Sequence, residues 1–177
     1  GPTEYTVATL GPVDPAVRSE RIMQARRAAL DLLDSTRRST RALFRRLDPE
    51  RVVHRDEAGW RVRDVLGHLA AWNSEAARSL QAYADGGQYV CMDDPSGEDR
   101  YNARSAAQRR AWAIEEVWTD YEVGHDELRK AVETLPADKW EGEMVFPWNV
   151  RGTVEELIRS MMRHEAVDHA LSIPDES

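Results

Sequence analysis

VRDVLGHLAAWNSEAARSLQAYA, residues 62–84, is the stretch on which the fold turns. Val65, Leu69, Trp72, Ala76, Leu80 and Tyr83 recur at three- and four-residue spacing, which lays them along one stripe of a helix. Gly86-Gly87 follows, and glycine is the residue on which helices commonly end. A helix of this length with a single apolar stripe has to bury that stripe against other elements. His68 falls ~40° outside Trp72 on the helical wheel, at the margin of the stripe.

The same period recurs on both sides. From about Pro15 to Leu47, the positions Ile22, Ala25, Ala29, Leu33, Leu43, Phe44 and Leu47 define a long helix, with Thr36 and Thr40 filling its inner stripe and Pro49 beyond its end. Ser96-Gly97-Glu98-Asp99 resembles a capping box and predicts a short helix over 98–110. Ile114, Val117, Trp118, Tyr121, Leu128, Val132 and Leu135 mark another long helix over about 113–135, closed by Pro136. Thr153-Val154-Glu155-Glu156 is a second capping box, opening a last helix from about Val154 to Ile173 that Pro174 stops. No segment reads as a strand. Four long amphipathic helices and a short one predict an all-α, up-down four-helix bundle with one extra helix and long connecting loops. Residues 15–174 are expected to form one domain, and 1–14 a flexible tail that includes Gly1-Pro2, the mark of a cleaved tag.

Charge and cysteine content narrow the function. The net charge of -8 argues against nucleic acid and against anionic membranes as partners. One cysteine, Cys91, allows no intrachain disulfide, and no run approaches the ~20 apolar residues of a membrane span. A cytoplasmic location is expected, as a monomer or homodimer.

The informative residues are polar ones at core positions. With Ile158 taken as zero, Val154, Met161, Met162 and Ile173 fall within about ±60° on the last helix, while Glu165 falls at about -20° and His169 at about +20°. His164 lies well off this face and reads as solvated, as does His54 in its connector. A buried carboxylate needs a partner: a metal ion, a histidine, or an arginine such as Arg26. His125 falls mid-stripe on the third long helix. The set His68, His125, Glu165 and His169 therefore gathers near one interface, and two histidines with a glutamate are a common zinc ligand set with an open fourth position. Nickel or iron suits the same donors. The plainer alternatives are a hydrogen-bonded core histidine at His125, a buried Glu–His hydrogen bond, and an Arg26 that reaches water over its own stem. Thr36 and Thr40 either leave room for a ligand or bond back to their helix. Trp140 reads as a cap on the bundle, and Trp148 as either a cap or a lid on a small-molecule pocket.

The segment Gly59-Trp60-Arg61-Val62-Arg63-Asp64-Val65-Leu66-Gly67-His68-Leu69-Ala70-Ala71-Trp72 resembles the second-helix signature of DinB-like bundles. Tyr101-Asn102-Ala103-Arg104, the stretch Glu116 to Leu135 with His125, and Thr153 to Ile173 are similar, more narrowly, to the ClbS/DfsB branch. The resemblance spans about residues 20–173. It implies a metal triad of His68, Glu165 and His169, a histidine of the second helix joining two ligands of the last. Many members carry histidine at both of the last two places, whereas the mycothiol-dependent isomerase branch uses a His, Glu, His set. It also implies detoxification or self-resistance against a small, electrophilic, strained-ring metabolite. Three routes follow: attack by activated water, transfer of a low-molecular-weight thiol with one divalent metal, or sequestration without turnover. In the catalytic version Glu165 or the metal activates the nucleophile and His125 donates a proton or orients the substrate. Tyr101, Asn102, Trp148, Thr36 and Thr40 then line the substrate.

Overall fold

In the computed structural model, which describes residues 13–53, 59–170 and 173, the chain is helical apart from one small hairpin. Helix α1 covers Pro15–Phe44, α2 Val62–Ala84, α3 Glu98–Arg109, α4 Ile114–Thr134 and α5 Val154–Arg163, with a wider turn of π-helix continuing over His164–Ala170. The tail over 1–12, His54 and the stop at Pro174 lie outside the described residues. Each helix starts where local chemistry supplies a cap. The Asp14 carboxylate accepts from the Ala16 amide at 2.9 Å, ahead of Pro15 in the first turn. Asp64 accepts from the Arg61 amide at 2.8 Å. Thr153 and Glu156 close the expected reciprocal box at the head of α5. At α3 the cap differs from the expected one: Asp94 accepts from the Ser96 amide at 2.8 Å, and a tight turn over Pro95–Gly97 leads into the helix. The hairpin is the element the sequence did not show. Met144–Val145 (β1) pairs antiparallel with Arg151–Gly152 (β2), turning through Asn149 at φ 61°. A two-residue strand is too short to carry a period.

Helices α1 and α2 each pack on both α4 and α5, which places α1 and α2 at opposite corners of a four-helix bundle. The α2–α4 crossing is the closest. A Cβ at Gly124 would stand 3.1 Å from the Ala70 carbonyl oxygen and 3.1 Å from Ser74 Oγ, so any larger residue would push these helices apart by a few tenths of an ångström. The apolar core falls into two clusters. One holds Leu33, Ala76, Leu80, Leu128, Ile158 and Met162, with Trp140 buried against it. The other holds Phe44, Val65, Leu69, Val117, Trp118 and Tyr121. Along each helix a polar residue stands between the two: Thr40 on α1, Asn73 on α2, His125 on α4 and Glu165 after α5, all buried. Arg26 does not join them. Its guanidinium donates to the Leu135 carbonyl at 2.5 Å and lies over the Trp140 ring, since its position on α1 is level with the end of α4.

On the outer side, Arg37 and Arg41 of α1 grip Glu122 of α4, with Arg37 also 2.7 Å from Asp126. The hydrogen bond from Arg41 outweighs the burial that opposes it, and with Arg37 it holds the Glu122 carboxyl down at about 2. A carboxyl whose folded value lies below its unfolded one contributes stability above the unfolded value, and loses it as pH falls through the folded one. The Glu122 side chain is 28% exposed, so solvent screening trims the effect to on the order of 2 kcal/mol. Urea midpoints are therefore expected to fall between pH 5 and pH 2.5 more steeply in the parent protein than in Glu122→Gln. Equal slopes would remove Glu122 from the acid response.

Candidate functional site

The last helix changes pitch at His164. After Arg163 the backbone runs as π-helix from His164 to Ala170. In such a helix a turn takes about 4.4 residues, so positions five apart share a face. On an ordinary helix five residues rotate by about 140°, which is why His164 reads as pointing away from His169. The wider turn brings both inward against His68 of α2. The three Nε2 atoms form a triangle: His68 to His164 3.0 Å, His68 to His169 3.1 Å, and His164 to His169 2.8 Å. His68 is 5% exposed, and the other two are half-buried. Trp60 meets the His68 ring edge-on at 5.1 Å between centroids.

A divalent metal fits this donor set. Each Nε2 is either protonated or bears a lone pair, so among three converging nitrogens at least two are alike and oppose each other. One cation accepting three lone pairs removes that conflict, and three histidines with an open position is a familiar catalytic ligand set. Among the described residues, His68, His164 and His169 form the one group of histidine, cysteine or carboxylate side chains that converges closely enough to hold an ion. Of the expected triad, His68 and His169 converge, and the third side chain beside them is His164 rather than Glu165.

Glu165 instead points across the bundle axis. Its side chain is 1% exposed, and four donors meet its two oxygens. His125 Nε2 lies 2.9 Å and Asn73 Nδ2 2.8 Å from Oε1, while Thr40 Oγ1 lies 2.7 Å and Tyr121 Oη 2.9 Å from Oε2. Burial pushes this carboxyl up, but the hydrogen bond and charge of His125, then Thr40 and Asn73, prevail and hold it below its usual value. Burial, followed by the Glu165 charge, pushes the Tyr121 hydroxyl far up, so it remains a donor. The polar layer therefore ties α1, α2 and α4 to the first residue after His164. It clamps the π turn at the point where the histidines must be aimed.

Beside the histidines lies a cleft of about 380 Å³ with His164, Met161, Trp72 and Trp148 on its walls. The hairpin carries Trp148 there, its ring 6.1 Å from that of Trp72 and 5.3 Å from that of Phe146. The other expected substrate residues are placed as follows. Asn102 accepts from the Trp72 indole at 2.8 Å and so steadies a cleft wall. Tyr101 meets Trp72 at a tilt, with ring centroids 4.9 Å apart, and donates to Glu75 at 3.1 Å, on the far side of that wall. Thr36 is buried on α1, and Thr40 belongs to the Glu165 layer. Cys91 is half-buried, with its thiol pushed up to about 11 by burial and then by the Glu75 charge, the opposite of an activated nucleophile. Sequence reasoning missed His164, Asn73 and the hydroxyl role of Tyr121. Asn73 could have been found: it is four residues after Leu69 and three before Ala76, on the apolar stripe itself.

The fold is shared with a protein of known structure. The crystal structure of colibactin self-resistance protein ClbS in complex with a dsDNA matches over 88% of this chain and 92% of that one, with TM-score 0.56 and 14% sequence identity. Among curated proteins no match is found. The DNA in that complex corrects the exclusion of nucleic acid given above: a protein of the same fold is found with double-stranded DNA, so the net charge of this chain is not enough to rule that partner out. Local surface charge, rather than the net value, governs such contacts. No helix among the described residues is long and apolar enough to cross a membrane. The family model for the DinB superfamily matches residues 32–171, and the chain belongs to that superfamily.

Proposed function

We propose that this chain is a metal-dependent detoxification enzyme that opens small electrophilic, strained-ring molecules with activated water. The observation that carries the reading is the convergence of three Nε2 atoms on a cleft whose wall includes one of the same histidines. His68, His164 and His169 would hold a divalent ion of zinc, nickel or iron. Such an ion lowers the pKa of water or a thiol and polarises an oxygen. The chain does the rest. Trp72, Trp148 and Met161 take up the apolar body of the substrate and exclude water from around it. His164 reaches that space, so the electrophilic carbon is brought to the nucleophile rather than to bulk solvent. Glu165, buried and saturated with donors, is unsuited to act as the base; it aims His164 and His169. His125 serves Glu165 in turn, not the substrate.

The test is elemental mass spectrometry on protein purified without a histidine tag or chelator, followed by incubation with a small epoxide. About one equivalent of metal, and a product heavier by one water, are the expected results. Product formed only with an added thiol would assign transfer in place of hydrolysis. Binding of the epoxide without product would assign sequestration. No bound metal after addition of zinc, nickel or iron would end the metal reading.

A further inference from the structure

A second cleft, of about 560 Å³, lies behind the Trp72 wall, between α2 and α3. It is as roomy as many small-molecule sites but lined almost wholly by polar groups. Its construction is specific. Glu75 of α2, 7% exposed, sits in its floor and is already satisfied: Tyr89 donates to it at 2.7 Å, and Tyr101 and Arg78 at 3.1 Å each. Arg109 is likewise spent. It lies over Gly67, where a Cβ would meet its Cδ at 3.0 Å, and it pairs with Asp120 at 2.8 Å while donating to Ser105. Both carboxylates of the groove are thus taken up by neighbours. What remains is donors: Arg104, whose guanidinium has no carboxylate partner among the described residues and lies 6.0 Å over the Tyr101 ring, with Gln108 one turn further along α3 and Ser74 opposite. The groove's lining carries three guanidinium groups, of Arg78, Arg104 and Arg109, against the two carboxylates of Glu75 and Asp120, a local positive excess in a chain of net charge -8.

We infer that this groove is a binding site for the oxyanion of a polar small molecule, a phosphate or carboxylate seated on Arg104 and Gln108 between α2 and α3. Arg78 flanks it, and Cys91 opens on it from the loop before α3. The inference does not depend on the histidine cluster. Tyr101 lines the groove and Trp72 the aromatic cleft, and the two rings meet at an inclination of 55° with centroids 4.9 Å apart, so this ring pair separates the two spaces. Guanidinium groups suit phosphate and carboxylate alike, because both present paired oxygens to a planar fork.

Cys91, the chain's single cysteine, supplies the readout. Its alkylation by iodoacetamide is followed by mass spectrometry in full-length protein at constant ionic strength, with inorganic phosphate, citrate or chloride added. Phosphate or citrate is expected to slow the reaction saturably, and chloride to leave it unchanged. Protection by phosphate alone would name a phosphate ester as ligand type, by citrate alone a carboxylate, and by both an oxyanion in general. Arg104→Ala, an exposed substitution, is expected to raise the half-saturating concentration at least tenfold, the loss expected of a charge-assisted hydrogen bond. Arg110→Ala, at the exposed end of the same helix and outside the groove, is expected to leave it unaltered. Equal effects of the two variants, or protection that never saturates, would overturn the site. So would protection by a DNA duplex with none by phosphate or citrate. Metal loading plays no part in the measurement, so a failed histidine site leaves the result readable.

Discussion

Replacing Glu165 by glutamine is expected to lower the unfolding free energy of the metal-free protein by about 3 kcal/mol, because it breaks a buried, hydrogen-bonded charge without relieving its partners. The carboxylate accepts from four donors on three helices. A carboxamide accepts at one oxygen only and presents hydrogens at the other position. Its better orientation keeps the oxygen toward Asn73 and His125 and turns the amide toward Thr40 and Tyr121, whose hydroxyls can rotate to accept. That rescue is partial, since both hydroxyls then lose their acceptor and His125 loses a full charge opposite it. Leucine in the same place would strand all four donors, and at about 1–3 kcal/mol each it is expected not to fold. Urea denaturation of the glutamine variant decides the matter. A midpoint equal to the parent's would mean that the layer is hydrated rather than closed, and that Glu165 does not fix the π turn.

The sequence and the structure part company at this turn, and the reason is geometric. Helical period alone located the four long helices, because a stripe such as Val65, Leu69, Trp72, Ala76 and Leu80 spans enough turns to average over local error. The same arithmetic put Glu165, His125 and Thr40 inward, and the structure joins these three. It failed for His164 because each step was taken as 100°, and a change of pitch over seven residues leaves no mark in an apolar stripe that has no member between Met162 and Ile173. A five-residue spacing of histidines in a π-helix does the work of a four-residue spacing in an α-helix: the wider turn absorbs one extra residue. A His-x4-His pair opposite a histidine of another helix is therefore the signal that was available. The hairpin and the polar groove were out of reach for a different reason. Both depend on which loop lies against which helix, and the contacts that decide this, such as Cys91 on the Pro147 carbonyl at 2.9 Å, join residues far apart in the chain.

His164→Ala separates the two arrangements of the triad, because each assigns opposite work to neighbouring residues. In the proposed site His164, with a half-buried ring, is a ligand, while Glu165 is buried in the core among its four donors. Removing His164 is expected to cost little stability in the metal-free protein, since its ring also faces the open cleft. It is expected to weaken metal binding by more than about 100-fold, since even the partners that orient ligands are worth roughly 10–100-fold. Glu165→Gln is expected to show the reverse pattern, with a large loss of stability and a metal affinity reduced only by the ~10–100-fold that misaimed ligands cost. Competition with a chromogenic chelator gives affinity for both variants, and thermal melts of the metal-free proteins give stability. Were Glu165 the third ligand and His164 a solvated side chain, His164→Ala would bind metal like the parent. The crossed pattern, one variant losing mostly metal affinity and the other mostly stability, is the result expected of a clamp lying next to a ligand on the same widened turn.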